Sequence, residues 1–398
     1  MTQTELSTDK PTLAVAMIGY AFMGAAHAQA WRTAHRFFDL PAVPEVRVIC
    51  GRSAESTAAA AQRFGCSSWM TDWREVLQRD DIDVIDICTP GDTHRDIALA
   101  ALEAGKHVLC EKPLANTVAE AEEMTAAAQA AAQRGVLSSV GFNYRRVPAI
   151  ALARRHIADG RLGTIHHVRA QYLQDWIVDP DFPLVWRLQK DKAGSGALGD
   201  IGAHIIDLAY FLTDQRLLGV SAMLDTFVKT RPLPEAASGL SGSSSGQERG
   251  DVTVDDAAAF FGRMDGGAFA TFEATRFATG RKNAIRIEVN GSQGSLAFDF
   301  ESMNELLVYD GTVPAADAGF RRLLVTEPEH PYMDSWWPPG HGLGYEHTFT
   351  HEIADFVRAV ATGTAPSPSF ADGLAVQRVL DAVEQSSLSN SQWTPIPG

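Results

Sequence analysis

The chain has 398 residues, of which 45% are hydrophobic and 21% charged, and carries a formal charge of −15. That composition is ordinary for a water-soluble globular protein, and the length suffices for two or three cores at about 150 residues per domain. The acidic surplus repels phosphate backbones and so excludes nucleic acid and anionic membrane as expected partners.

The first ten residues are polar and give no sign of a signal peptide. No apolar run approaches the roughly 20 residues of a membrane span. Cys50, Cys66, Cys88 and Cys110 form no Cys-x-x-Cys pair, and three of them close apolar runs. Such cysteines behave as small buried hydrophobes, so no disulfide framework is expected and a cytoplasmic location fits.

Taken in order, short apolar runs at 13–18, 46–50, 84–87, 108–110 and 137–141 predict strands. Helical patterns at 56–64, 94–104 and 118–134 lie between them, with Gly105 and Gly135 as natural helix ends. Strands alternating with helices argue for βαβ units and a parallel sheet over 1–143. From 144 the pattern changes. A helix at 149–159 precedes β-like segments at 165–173, 220–228, 257–264, 269–277, 285–289 and 295–300. Asn290-Gly291 is a hairpin signal between two of these. A helix at 202–212 interrupts early, and helices at 346–361 and 374–387 close the chain. The overall class is therefore α/β. A parallel-sheet domain over 1–143 precedes an α+β domain with a large, mostly antiparallel sheet over 144–398. Residues 232–250 are rich in Pro, Gly and Ser and are expected to form a mobile loop.

Gly19-Tyr20-Ala21-Phe22-Met23-Gly24 follows the first strand and opens a helix. Gly19 permits the tight turn and Gly24 permits close helix–strand packing. The helix N-terminus offers free amides to a pyrophosphate. Ala21 stands where a Gly-x-Gly-x-x-Gly motif has its middle glycine. It adds one methyl near the phosphate and impairs the fit only slightly. The second strand ends Cys50-Gly51-Arg52-Ser53, without the acidic residue that binds the ribose 2′-hydroxyl of NAD. Arg52 and Ser53 leave room for a 2′-phosphate. The cofactor is thus expected to be NAD(P)(H), with a lean to NADP and with NAD open. Thr89-Pro90-Gly91-Asp92-Thr93-His94 follows the strand at 84–87 and should line the ribose and nicotinamide side, although Asp92 or Thr93 could simply cap the next helix.

Glu111-Lys112-Pro113 places a cation at the carboxyl end of a buried strand, where open α/β sheets bind ligands. Asp200 and His204 stand four apart at a helix start and are expected on one face. A histidine beside a carboxylate can take a hydroxyl proton. A lysine beside the developing alkoxide lowers the barrier electrostatically. Asp200 could equally be a cap and His204 a core histidine.

Together, Gly19 to Gly24, Thr89-Pro90 with His94, Glu111-Lys112-Pro113 and Asp200-x-x-x-His204 resemble the Gfo/Idh/MocA oxidoreductases. Asn143 to Arg146, Tyr172 to Trp176, Trp186-Arg187, Gly194 to Ile201 and Glu273 to Arg276 are similar to the branch containing levoglucosan and inositol dehydrogenases. The resemblance implies a Rossmann domain followed by an open-faced antiparallel sheet domain. It implies NAD(P)-dependent oxidation of a sugar, anhydrosugar or cyclitol alcohol by a homodimer or homotetramer assembled through that sheet. Lys112, Asp200 and His204 then take the catalytic positions. Gly19, Ala21, Phe22, Met23, Gly24, Arg52, Ser53, Thr89, Pro90, Asp92, His94, Glu111 and Lys112 face the cofactor. Tyr144, Gln174, Asp175, Trp176 and Arg187 join Asp200 and His204 around the substrate, although Trp176 and Trp186 could equally be core.

His347 and His351, with Glu352 and nearby His341, have a spacing that can bind zinc. No glutamate stands between them as in His-Glu-x-x-His, so no metal is expected. A dinucleotide sensor without catalysis and a keto-sugar reductase are the rival readings. The presence of Lys112 and His204 argues against the first, and the residues cannot separate the second from a dehydrogenase working in the oxidising direction.

Overall fold

A computed structural model describes residues 10–238, 241–243 and 248–397. The elements run β1 (Thr12–Ile18), α1 (Phe22–Phe37), β2 (Val43–Cys50), α2 (Ala54–Phe64), β3 (Ser68–Met70), α3 (Trp73–Leu77), β4 (Val84–Ile87), α4 (His94–Glu103), β5 (His107–Glu111), α5 (Val118–Ala132) and β6 (Ser138–Gly141). Among the described residues these strands form one six-stranded sheet, in the order β3-β2-β1-β4-β5-β6, all parallel. Its central strands are buried along most of their length because helices cover both faces, and apart from Asp86 and the ends of β5 they are largely apolar. The order reverses beside β1 and β4. A crevice opens there at the carboxyl ends, the usual ligand position for such a sheet.

The second half runs α6 (Pro148–Ala158), β7 (Ile165–Leu173), α7 (Lys190–Ala193), α8 (Ala203–Thr213), β8 (Leu217–Asp225), β9 (Thr230–Pro232), β10 (Ala236–Ser238), β11 (Ser241–Ser243), β12 (Arg249–Asp251), β13 (Ala257–Met264), β14 (Phe269–Thr275), β15 (Ala284–Gly291), β16 (Gly294–Asp299), β17 (Glu305–Asp310), β18 (Arg321–Leu324), α9 (Tyr345–Thr362), α10 (Phe370–Leu388) and β19 (Thr394–Pro395). A nine-stranded sheet among the described residues takes the order β18-β17-β16-β15-β7-β14-β13-β8-β19. It is antiparallel except where β14 runs parallel to β7. Inward residues alternate along β13 and β14, leaving one face on the core and the other in solvent.

The two sheets share one apolar core. It passes from Val108 and Val140 through Phe142 and Ile205 to Phe272 and Val289. The last two helices, expected in the second domain, reach back to the first. α9 packs Phe349, Ile353 and Phe356 against Trp31 and Val15. α10 is tied in by the Pro368 carbonyl, which accepts from the Ser139 hydroxyl at 2.6 Å. Around the expected loop at 232–250, β9 pairs with β12 and β10 with β11. Residues 239–240 and 244–247 of that loop lie outside the described residues.

Candidate active site

Gly19 has φ +102°, and a Cβ there would lie 2.7 Å from the Cys88 carbonyl, so only glycine fits where β1 turns into α1. Gly24 packs under this turn, where a Cβ would lie 2.4 Å from the Gly19 carbonyl, so it supports the loop without lining the crevice. Ala21 caps α1 in an extended conformation with no side-chain hydrogen bond, leaving the first amides of the helix to an anion. The Tyr20 ring lies over Gly51, where a Cβ would come within 2.1 Å of it. Arg52 is exposed, and Ser53 caps α2 through the Ser56 amide.

From here a cavity of about 1350 Å³ runs between the two sheets to Lys112 and His204. Gly19, Ala21, Phe22, Met23, Arg52, Ser53, Thr89, Pro90 and Asp92 line its first half. Size, free helix amides and the glycine turn all fit an extended dinucleotide. Two residues expected at the cofactor are mainly braces. His94 is buried, with Nδ1 3.0 Å from the Pro113 carbonyl and Nε2 2.9 Å from the Thr89 carbonyl, so it ties two cleft turns together. Glu111 touches the cleft wall but is 4% exposed and is engaged by His27. Asp92 reaches across the cleft to Lys192, Oδ2 to Nζ 3.4 Å.

At the far end three cations surround Asp200. Lys112 Nζ donates to its backbone carbonyl at 2.8 Å and lies 3.6 Å from Oδ1. Arg187 Nε lies 3.9 Å from Oδ1, and the guanidinium of Arg276 3.6 Å from Oδ2. Burial pushes the Asp200 carboxyl upward, but Lys112, Arg187 and Arg276 outweigh it and hold the group below the ordinary aspartate range.

Asp200 does not stand on a regular helix with His204. A π turn, Leu198–Gly202, separates it from α8. The cause lies opposite, in Asp255, whose carboxylate accepts the Gly196 and Leu198 amides at 2.7 Å each. Gly196 is obligatory there, because a Cβ would fall 1.7 Å from the Asp255 carbonyl. The regular-helix spacing expected to put Asp200 and His204 on one face is therefore altered. Among the described residues, the Asp200 carboxylate meets cations only. π turns are frequent at functional sites.

His204 is 6% exposed and packs edge-on against Tyr144, ring centroids 4.7 Å apart, and against Phe142. Burial and then the Lys112 cation push its pKa well below the ordinary histidine value. It is a neutral base at pH 7.

A polar wall completes the cleft. Tyr144 and Tyr172 hydroxyls lie 2.9 Å apart, and Tyr172 donates to Asn283 Oδ1 at 2.6 Å. Gln174 donates to the same oxygen at 2.9 Å and accepts from Trp176 Nε1 at 3.1 Å. Asp175 does not join them. It is turned to Lys282 and the Gly280 amide, because side chains alternate along the extended chain leaving β7. Asn283, Arg276 and Tyr345 were not recognised as site residues from spacing, since each arrives from a segment far away in the chain. Tyr345 closes the wall from α9, stacked on Phe22 at 6.3 Å.

His351 is occupied elsewhere. Nδ1 donates to the Arg146 carbonyl at 2.8 Å, and Nε2 accepts from Trp336 at 2.7 Å. His347 accepts the Gly344 amide at 3.0 Å. Neither lines the cleft.

Residues 13–142 match the family model described as "Oxidoreductase family, NAD-binding Rossmann fold", and 150–297 match the GFO/IDH/MocA C-terminal domain. The chain belongs to the Gfo/Idh/MocA oxidoreductase family. It is an NAD(P)-dependent oxidoreductase. It is 44% identical to levoglucosan dehydrogenase of Pseudarthrobacter phenanthrenivorans, over 97% of this chain and 98% of that protein. It superposes on an oxidoreductase domain protein from Kribbella flavida with TM-score 0.93 and 65% identity, over 98% and 100% of the two chains. A structure of levoglucosan dehydrogenase in complex with NADH and levoglucosan gives TM-score 0.91 at 42% identity, over 97% and 100%.

Proposed function

We propose that the enzyme oxidises a secondary ring hydroxyl of a neutral sugar, anhydrosugar or cyclitol, with levoglucosan the first candidate. The observation that carries this is the meeting of Lys112, Asp200 and His204 in one cleft below a wall of tyrosine and amide groups. Such a wall offers donors and acceptors in pairs, as polyols require, and ring faces for their apolar sides.

NAD(P)+ bound along the glycine turn supplies the hydride acceptor. His204, neutral through burial, takes the hydroxyl proton as the carbon–hydrogen bond is lost. Lys112 stabilises the negative charge that develops on that oxygen. Asp200 holds Lys112, Arg187 and Arg276 in place, so that the cations keep their positions before substrate arrives. The same groups run the reverse reduction with a protonated His204. An exposed Arg52 leaves space for a 2′-phosphate, whereas the related levoglucosan dehydrogenase binds NADH. Acceptance of both dinucleotides is the reading these two facts favour.

The solvent face of the large sheet carries exposed Met223, Phe261 and Leu307 around a groove of about 860 Å³. A second copy covering this face would give the homodimer or homotetramer. Light scattering of purified protein should give a multiple of the chain mass. Among the described residues no helix is long and apolar enough to cross a membrane, in keeping with a cytoplasmic enzyme.

The decisive experiment is an activity screen with NAD+ and NADP+ against levoglucosan, glucose, glucosides and inositols. Turnover of at least one polyol is expected. Tight NADH binding without turnover of any of them would defeat the reading.

A further inference from the structure

Lys112 hangs on a buried ionic network that the cleft chemistry does not use. His27 sits in α1, just past the dinucleotide turn, and its side chain is fully buried. Its Nδ1 lies 3.0 Å from each carboxylate oxygen of Asp86 on β4. Its Nε2 lies 3.0 Å from Oε1 of Glu111 on β5. With a proton on each nitrogen the ring donates to both carboxyl groups at once, and it is then an imidazolium. Burial opposes this charge, but Asp86 and Cys88 outweigh it and hold the pKa well above the ordinary value.

Both carboxylates are fixed from their other sides. Trp31 Nε1 donates to Asp86 at 2.7 Å. The second oxygen of Glu111 accepts the backbone amide of Lys112 at 3.2 Å. Glu352 of α9 stands near the group with no hydrogen-bond partner among the described residues. Burial pushes its carboxyl up to about 8, so it enters uncharged at neutral pH. One cation thus serves two anions at the carboxyl ends of the strands beneath the cleft.

Stability is a weak reason for such a cluster, because apolar residues of equal volume commonly do as well as a buried ion pair. What apolar packing does not provide is direction. A chain of hydrogen bonds runs from α1 through Glu111 to the Lys112 amide, and the lysine's ammonium then reaches the Asp200 carbonyl.

We propose that His27 is a positioning residue for hydride transfer: by bridging Asp86 and Glu111 it fixes the end of β5 and, through the Lys112 amide, the place of the Lys112 ammonium in the cleft. Errors of about 1 Å in such placement cost orders of magnitude in rate while leaving ligand binding almost intact. The inference rests on the role given to Lys112 above.

The test compares His27→Gln, Glu111→Gln, the double variant and Lys112→Met. Turnover number, polyol KM and NADH affinity by fluorescence titration are measured for each. Each single glutamine variant should lower kcat about tenfold or more, with KM and NADH affinity within about threefold of the parent. The double variant should lose no more than the worse single one, since both cut one chain. A smaller fall in kcat, a loss seen only in NADH affinity, or single losses that multiply in the double variant would each overturn the proposal. Should His27→Gln be insoluble, Glu111→Gln is judged by the same thresholds. High activity in Lys112→Met would defeat the lysine assignment itself. Low activity there beside a normal His27→Gln would defeat only the positioning role.

Discussion

Two clusters of charge flank Lys112, and they differ in how open they are to a ligand. On the cleft side three cations converge on the single carboxylate of Asp200, which is 22% exposed. On the interior side two carboxylates close on the single imidazolium of His27, at 0% exposure. The first cluster lines the cleft, where a ligand can reach it. The second is closed and nearly satisfied within itself. One arrangement can stabilise charge that appears during a reaction, whereas the other can only hold geometry. Lys112 belongs to both, with its ammonium in the first and its backbone amide in the second.

The sharpest way to break this contrast is Lys112→Met. It removes one charge from the cleft cluster and leaves the amide bond to Glu111 in place. Loss of one preorganised donor at a developing oxyanion typically costs about 10²–10³ in kcat. That fall is expected here with NADH affinity little changed, read by steady-state kinetics and fluorescence titration. A variant within tenfold of the parent would show that the Lys112 charge is not used in turnover.

The contrast also marks how far the residue pattern could be read. Lys112, Asp200 and His204 were legible because each sits beside a glycine- or proline-marked turn at the end of an apolar element. The six parallel strands were mostly legible because helix and strand periods alternate cleanly. β3 and α3 were not expected, having three and five residues, too few to show a period. The strands β17 and β18 were missed as well. β17 places Leu306 inward and Leu307 outward, which blurs alternation. The His27 network carries no local signal, because its partners lie 59 and 84 residues away in the chain. Asp175 was misplaced for a related reason: spacing alone does not reveal which neighbour an extended residue faces.

Protonation offers a second test of intermediate size, because the two buried histidines shift in opposite directions. His204 is lowered, by burial first and Lys112 second, so it stays neutral until the pH falls well below 6.5. His27 is raised, so it stays charged as the pH rises through 6.5. For stability the signs follow from linkage. The contribution of neutral His204 is full above the unfolded value and is lost as pH falls toward its lowered folded value. That of charged His27 is full below 6.5 and is lost as pH rises through its raised folded value. For catalysis, oxidation needs the neutral His204. The kcat profile for oxidation should therefore be level across pH 6.5–7.5, with its acid limb centred below 6.5. An acid limb centred at or above 6.5 would mean that the base is not the shielded imidazole beside Lys112.

The smallest effect belongs to the other end of the cleft, where charge is exposed and water competes. Arg52 stands at the end of β2, in the place where NAD-specific folds carry an acid. If its guanidinium meets a 2′-phosphate, the contact is solvent-screened and is worth on the order of 1 kcal/mol. Arg52→Ala should then raise KM for NADP+ about fivefold and leave KM for NAD+ within about twofold. Higher salt should narrow the difference, since exposed pairs are screened while the buried clusters around Lys112 are not. An equal change for both dinucleotides would place Arg52 against the adenine they share, and acceptance of NADP+ would then owe nothing to its charge.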